Sequence, residues 1–356
     1  MSVLSEIKVV ELASVLAGPL VGSFFAEAGA NVIKFENPIG GDITRAWKNA
    51  GDASSAKFSS YFSSANYGKD YQQADLLSEE GRKLILSHLE NADILLTNFK
   101  KGDAEKFGLT QSFLSQQFPK LIHGQISGFG EDSERTAFDM VLQAETGYLS
   151  MTGSSEARAK IPVAMIDILA AHQLKEGLLL ALMERQSSGK GSHVSVSLYD
   201  SALSALINQG SSYLMHGVLP EGLGTLHPSI APYGEVLQSK DGMEMVLAIG
   251  NNHQFQSLCA VLGDSDLSKD KRFQNNPERV IHRKALLQAM NQLAKKLKGK
   301  ELFNACLLAH LPVGRIRTLD QVFTDKEAQA LILEEQNGED LTKRISGNVF
   351  HITPNP

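Results

Sequence analysis

The sequence predicts an α/β protein: a parallel sheet covered by helices, followed by a smaller α+β domain. Three observations predict it. The chain opens as strand, turn, helix and strand, with a helix long enough to join parallel strands. That alternation recurs over the next ninety or so residues, on the order expected for repeated βαβ units. Composition then shifts at the Gly/Pro-rich stretch GVLPEGLGTLHPSIAP, beyond which a hairpin and several helices follow.

The elements follow in order. IKVVEL (residues 7–12) is rich in β-branched residues and reads as a strand. Pro19 suits a first helical turn, and LVGSFFAEAGA runs as a helix to a C-cap at Gly29. NVIKFE (31–36) is the next strand. Residues 37–75 form a long Ser- and Gly-rich region without strong periodicity, a length that in such folds is more often functional than accidental. SEEGRKLILSHLENA (78–92) has helical period, while DILLTNF (93–99) and KLIHGQIS (120–127) read as strands. Residues 167–185 read as one long, largely buried helix that starts at Asp167, and the apolar run at 178–183 within it reads as buried helix. HVSVSL (193–198) is a strand, and a helical segment spans about 200–214. YGEVLQSKDGMEMVLAIG reads as a hairpin turning at Asp241–Gly242. Helices follow to about residue 311, and the tail returns to short strand and helix signals.

Bulk properties narrow the function. The 356 residues suggest two domains, or one large domain with an insertion. A net charge of −6 gives no reason to expect nucleic acid or an anionic membrane as main partner, so an anionic ligand must be held by locally placed cations and N–H groups. Cys259 and Cys306 are too few for a disulfide framework or a structural zinc site, which points to a reducing compartment and a cytoplasmic location. The opening MSVLSEIKVVEL does not read as a secretory signal, and there is no run of about 18 apolar residues that would span a bilayer.

Candidate chemistry centres on Asp167, where an apolar run turns into a helix. Its position fits an N-cap, and equally a nucleophilic carboxylate kept ionised, at low pKa, by helix N–H groups. Gly40, Gly41, Gly128, Gly130, Gly153, Gly189 and Gly191 are turn positions able to cradle phosphates, but no GxGxxG or Walker spacing occurs. Lys69, Lys100, Lys101 and Lys106 fall near strand ends, where ligands bind in parallel sheets. His123, His172, His193, His227 and His253 are isolated in sequence, without metal spacing, and read as structural. No GxSxG elbow is present.

Eight segments taken together resemble one known family: VVELASVLAGPL, GANVIKFENPIGGDITR, NADILLTNFKKG with FGL after it, ISGFG, FDMVLQAETGYLSMTG, the long segment from IDILAAH to LYDSAL, HPSIAPYG and LPVGRI. Their order and spacing are similar to the class III coenzyme A transferases, which include formyl-CoA and carnitine-CoA transferases and the α-methylacyl-CoA racemases. The resemblance implies a large Rossmann-like domain over residues 1–187, completed by 316–356, with linker helices over 188–224. It further implies a small α+β domain over 225–300, a return linker over 301–315, and an interlocked homodimer.

The resemblance implies that Asp167 is the nucleophile of CoA transfer, through a mixed anhydride and an aspartyl-CoA thioester. CoA is then a substrate rather than a permanently bound cofactor, small carboxylic acids are its partners, and no metal is needed. It places Leu16, Ala17, Asn37, Asn66, Lys69, Asn98, Phe99, Lys100 and Lys106 at the CoA nucleotide. Lys69 would face a phosphate. Residues Thr136, Ala137, Phe138 and Asp139 would line the pantetheine channel. The chain departs from the formyl-CoA pattern at Asn37, at NFKKG and at GLGTLHPSIAP, which argues against formate or oxalate. A racemase would have a His where Phe138 stands and a Glu near Asn252, so transfer is favoured over racemisation. A CoA-binding protein without catalysis is the remaining alternative.

Overall fold

The computed structural model describes residues 4–353. They fall into two compact units: 4–150 with 160–220 and 327–353, and 151–159 with 221–326.

The first unit is built on six parallel strands in the order β3-β2-β1-β4-β5-β6. β1 (Lys8–Glu11) leads through helix α1 (Ala17–Glu27) to β2 (Asn31–Glu36) and to β3 (Asp70–Gln73). Helix α2 (Glu79–Leu89) precedes β4 (Ile94–Thr97), and β5 (Ile122–Ser127) follows. Helices α3 (Asp139–Glu145) and α4 (Met165–Ser188) lead to β6 (His193–Ser197) and α5 (Leu198–Ser204).

β1, β2 and β4 are buried almost throughout because both faces of the sheet are covered, although β1 and β2 carry the charged residues Glu11, Lys34 and Glu36. One face packs α1 and α4 through Val9, Phe25, Ile94, Ile122, Leu174 and Leu178. The other buries Val10, Leu95, Ile85 and Leu89 under α2. Gly177 allows α4 to lie close on β6, since a Cβ there would stand 2.6 Å from Val194 Cγ1. Strand order reverses between β1 and β4, and the crevice at their carboxyl ends is where such sheets bind ligands.

Polar groups in this unit are concentrated beneath the carboxyl ends of β1 and β2. Lys34 Nζ donates to Glu11 Oε1 at 2.9 Å and lies 3.1 Å from Asp42 Oδ2, and Lys69 Nζ lies 2.8 Å from Glu11 Oε2. All four side chains are at most 1% exposed. Gly22 makes room for this cluster, because a Cβ on α1 at that point would overlap the Glu11 carboxylate.

The second unit has its own core. β7 (Tyr233–Gln238), β8 (Glu244–Ala248) and β9 (Val313–Arg315) form an antiparallel sheet. Helices α6 (Asn252–Val261), α7 (Arg283–Ala294) and α8 (Gly299–Leu308) bury Phe255, Leu258, Leu286, Met290 and Leu302 with strand residues Leu237 and Leu247.

Several expectations need correction. Residues 37–75 are not loop throughout: β3 lies there, unseen because DYQQ is a half-exposed edge strand without an apolar stripe. Residues 188–224 are more than linker helices, since β6 is an integral outer strand paired with β5. Residues 301–315 are not a linker; α8 and β9 belong to the small unit, which runs on to residue 326 and also takes in 151–159. The tail that rejoins the large unit therefore starts at 327. It is tied to α1 through Glu27, which accepts from Arg344 Nη2 at 2.6 Å and from the N–H groups of Gly347 and Asn348. Along the 178–183 run, Leu178 and Leu182 are buried but Leu180 and Met183 are each 67% exposed, because the helical period turns them outward.

The buried cluster yields a stability prediction. Glu11→Gln should leave Lys34 and Lys69 short of counter-charge and cost about 3–5 kcal/mol in urea unfolding. A midpoint within experimental error of the wild type would contradict the role given to this carboxylate.

Candidate active site

At the crevice between β1 and β4 two peptide segments meet. The Asn98 side chain accepts from the Ser14 N–H at 3.1 Å and donates to the Ser14 carbonyl at 2.8 Å, clamping the turn after β1 to the end of β4. Beside this clamp opens a cleft of about 350 Å³ lined by Leu16, Ala17, Asn98, Phe99, Lys100, Lys101, Arg135 to Phe138, and Asp167. A neighbouring cleft of about 360 Å³ shares Ser14, Asn98, Phe99 and Lys100 with the first and adds Asn37, Leu77 and Phe107.

The floor of the first cleft carries Asp167. Helix α4 begins at Met165, after Ala164, so Asp167 stands in the first turn and is not the N-cap. The cap bond comes from elsewhere: Asp139 Oδ1 accepts the Ile166 N–H at 2.8 Å, and its Oδ2 accepts from Gln143 Nε2 at 2.7 Å. With that task done by Asp139, the Asp167 carboxylate is left to face the cleft. Ala17, at the start of α1, lines the same cleft, and its N–H favours the ionised carboxylate; the N-cap of that helix, Leu16, has no capping side chain.

The electrostatics invert the expectation of a low pKa. Burial, reinforced by the nearby negative charge of Asp139, pushes the Asp167 carboxyl from 3.8 up to about 7, and the N–H groups of Ala17 and Asp167 only partly oppose this. Side chains from the long β2–β3 connection wall the same region. Trp47 packs edge-on against Tyr61 at 5.1 Å and lies 6.4 Å from the Phe138 ring. The Tyr61 phenol is pushed upward by burial and then by the charges of Asp167, Asp139 and Asp42, which places it in the electrostatic reach of the nucleophile candidate. Trp47 and Tyr61 were not anticipated. Trp47 is the single tryptophan of the chain, and that rarity was the available signal.

Cations gather at the cleft mouth. Lys101 pairs with Glu134 at 3.1 Å, and Arg135 pairs with Glu145 at 2.8 Å while stacking 3.8 Å from the centroid of Phe129. Lys100 is exposed at the boundary of the two clefts. Lys106 pairs with Asp103, which lines the second cleft.

Three expected contacts do not hold. Lys69 cannot face a phosphate: its ammonium is enclosed, and Glu11, the Pro19 and Ala65 carbonyls and Asn66 Oδ1 accept from it at 2.9–3.1 Å. Burial holds its pKa down to about 8, against the pull of Glu11. Asn66 is committed to that lysine and to the Phe62 carbonyl, so it too belongs to the interior. Asp139, with both oxygens bound as helix cap, does not line the cleft. Sequence gives residue type near a strand end but not the direction of the side chain.

His123 and His193 are not isolated. Their Nδ1 atoms lie 3.1 Å apart, and His193 Nε2 reaches Glu131 at 2.8 Å, in a polar chain across neighbouring strands. Burial and His193 hold the His123 ring neutral, with a pKa near about 3. A larger hollow of about 620 Å³ in the small unit is lined by Asp241, Glu244, Arg315 and Arg317, but Arg317 is already paired with Asp325 at 2.8 Å and Asp241 accepts from the Ser239 hydroxyl and the Gly299 N–H at 2.7 Å.

With this geometry in place, comparison with known proteins is informative. A profile of CoA-transferase family III matches residues 4–351. The chain is 36% identical over 335 residues to a succinate–glutarate CoA-transferase of Agrobacterium fabrum, covering 92% of this chain and 83% of that protein. It is 29% identical over 365 residues to a succinyl-CoA:mesaconate CoA-transferase of Haloarcula hispanica, covering 99% and 91%. A crystal structure of a CAIB/BAIF family protein from Brucella suis superposes with a TM-score of 0.88 at 35% identity, covering 98% of this chain and 93% of that one. This chain belongs to CoA-transferase family III, and it is an enzyme of CoA transfer that works on CoA thioesters. No helix among the described residues is long and apolar enough to cross a membrane.

The Ser14–Asn98 clamp can be tested. Asn98→Ala removes two hydrogen bonds to the backbone of Ser14 and should weaken CoA binding by roughly 1–3 kcal/mol in titration calorimetry. Unchanged affinity would show that the clamp does not shape the cleft.

Proposed function

We propose that this enzyme moves CoA from an acyl-CoA donor to a carboxylic acid by covalent catalysis on Asp167. The observation that carries the reading is a carboxylate at the crevice of a doubly wound sheet, relieved of its capping task by Asp139. Asp167 Oδ attacks the thioester carbonyl, the C–S bond breaks, and CoA thiolate leaves an acyl-aspartyl anhydride. The thiolate then attacks the aspartyl carbonyl, expelling the donor carboxylate and leaving an aspartyl-CoA thioester. An acceptor carboxylate attacks that thioester, and thiolate return to the acyl carbon of the second anhydride frees Asp167 and the new acyl-CoA. Holding the thiolate in the cleft between these steps raises its effective concentration. The Ala17 N–H at the α1 terminus is the donor in reach of charge on the aspartyl group.

The raised pKa supports a nucleophilic role. A desolvated carboxylate of pKa about 7 is more basic than an ordinary one, yet about half ionised at neutral pH. Lys100, Lys101 and Arg135 are the candidates for the CoA phosphates, Leu16, Ala17, Asn37, Asn98 and Phe99 for the nucleotide, with Lys106 outside them, and Thr136, Ala137 and Phe138 for the pantetheine arm. Racemisation is less well supported: Phe138 has no proton to move, and the Asn252 side chain accepts from the buried Arg279 at 2.9 Å. The names of the relatives favour four- and five-carbon dicarboxylates as the exchanged acids. A homodimer is part of this proposal, supported by apolar side chains left exposed on the large unit, among them Leu214 at 83% and Met215 at 73%. Cytoplasm is the proposed location, in keeping with two free buried thiols.

The first outcome concerns the Asp167→Asn variant. Incubation with succinyl-CoA should leave a CoA-sized mass on the Asp167 peptide, and Asp167→Asn should abolish it and lower turnover on the order of 10⁴-fold or more. A variant that turns over at close to the wild-type rate would rule the mechanism out. The folded pKa of Asp167 lies above the unfolded 3.8, so this group destabilises the fold progressively as pH rises from about 3.8 to about 7, and by a constant amount above that. Asp167→Asn should therefore keep or raise Tm at alkaline pH, as read by calorimetry.

The second outcome is a pH profile. Only the ionised carboxylate attacks, so kcat/KM of the wild type should climb with pH and level off above about 7. An acid limb centred near the ordinary 3.8 would mean that burial does not control this group.

A further inference from the structure

The peptide that presents the Ala17 N–H to Asp167 is held in a conformation its own sequence disfavours. Val15 has φ +74°, in the left-handed region where a β-branched side chain crowds the backbone. Such a residue persists only when its surroundings over-determine it. Here the Val15 N–H donates to both oxygens of Asp42, at 3.3 and 3.1 Å. Asp42 cannot turn away. Its side chain is 1% exposed, it accepts from the Thr44 N–H at 3.0 Å and the Thr44 hydroxyl at 2.7 Å, and it lies 3.1 Å from Lys34 Nζ. One residue beyond Val15, Leu16 supplies no side-chain cap, so the direction of the first N–H groups of α1 follows from the backbone at Val15.

We propose that Asp42 is a positioning residue for the reaction centre: it holds Val15 in the left-handed conformation that aims the Ala17 N–H at the Asp167 carboxylate. Asp42 touches no substrate and acts through the Val15–Ala17 peptide. The proposal rests on Asp167 being the reacting group. It adds that the buried ion cluster under β1 and β2 is coupled to the cleft through one main-chain bond. Asp139 from α3 and Tyr61 from the β2–β3 connection act on Asp167 electrostatically, and Lys100, Lys101, Glu131, Glu134 and Arg135 line the same cleft. All of these remain when Asp42 is changed, so a change in Asp167 titration reports on the Ala17 N–H.

The test follows the Asp167 carboxyl carbon by NMR in the unliganded full-length protein. It compares wild type, Asp42→Asn and Asp42→Asn/Val15→Gly. Asn keeps the size of Asp42 but loses its charge and second acceptor oxygen, so Val15 should relax and withdraw the N–H from Asp167. The Asp167 midpoint should rise by about one unit, and kcat should fall about 100-fold. Glycine adopts a positive φ without steric cost, so the double variant should bring the midpoint back toward the wild-type value. Loss of stability alone would not move the Asp167 midpoint of the folded protein. Equal midpoints in all three proteins, or no return in the double variant, overturn the proposal. Should Asp42→Asn not fold because Lys34 is left under-compensated, Lys34→Met/Asp42→Asn removes both charges while Glu11 keeps Lys69, and the same shift is expected. The NMR titration needs no turnover, whereas the aspartyl-CoA adduct in wild type decides the reading of Asp167, so the two ideas can fail separately.

Discussion

The structure depends on four charges buried together: Glu11 on β1, Lys34 on β2, and Lys69 and Asp42 from the connection after β2. Bringing four ions out of water is costly unless each is matched and hydrogen-bonded. Here two cations meet two anions, and carbonyls of Ala13, Pro19 and Ala65 accept from the lysines. The consequences spread outward. α1 can cross β1 only where Gly22 leaves space for the Glu11 carboxylate. Lys69 is drawn into the interior, and the irregular segment bearing Asp42 is pinned under the turn that opens the cleft.

Two aspartates at the cleft show how environment separates like groups. Asp139 receives an N–H from the end of α4 and an amide from Gln143, and serves as a cap across helices. Asp167 receives less and lies close enough to feel the charge of Asp139, so burial dominates and its pKa climbs to about 7. Removing the cap from α4's own sequence and supplying it from α3 is what leaves a carboxylate available for chemistry. The same placement couples α3 to the start of α4 and keeps Phe138 at the cleft wall.

Much of the architecture was legible because it rests on local signals. β2 was read to the residue, and β1, β4, β5 and β6 to within one or two at each end, since each holds a short stretch of β-branched or aliphatic residues of strand length. The polar edge strand β3 carried no such run and was missed. The segment carrying Trp47 and Tyr61 has no period, so nothing local announced that both rings would reach the region of Asp167. Lys69 sits near a strand end like Lys100, yet one points inward and the other to solvent.

The sequence by itself determined the alternation of strands and helices, the parallel sheet, the family and the identity of Asp167 as the residue to watch. These follow from periodicity, turn residues and ordered motifs, which are properties of short stretches of chain. Tertiary structure decided the direction of each side chain and the surroundings of each charge. Whether a lysine binds a phosphate or fills a core, and whether an aspartate caps a helix or stands with a raised pKa, depends on groups distant in sequence. Asp167 takes its properties from Asp139 and Ala17, which lie 28 and 150 residues away along the chain. Burial and Coulomb interactions act through space, and folding alone brings those groups together.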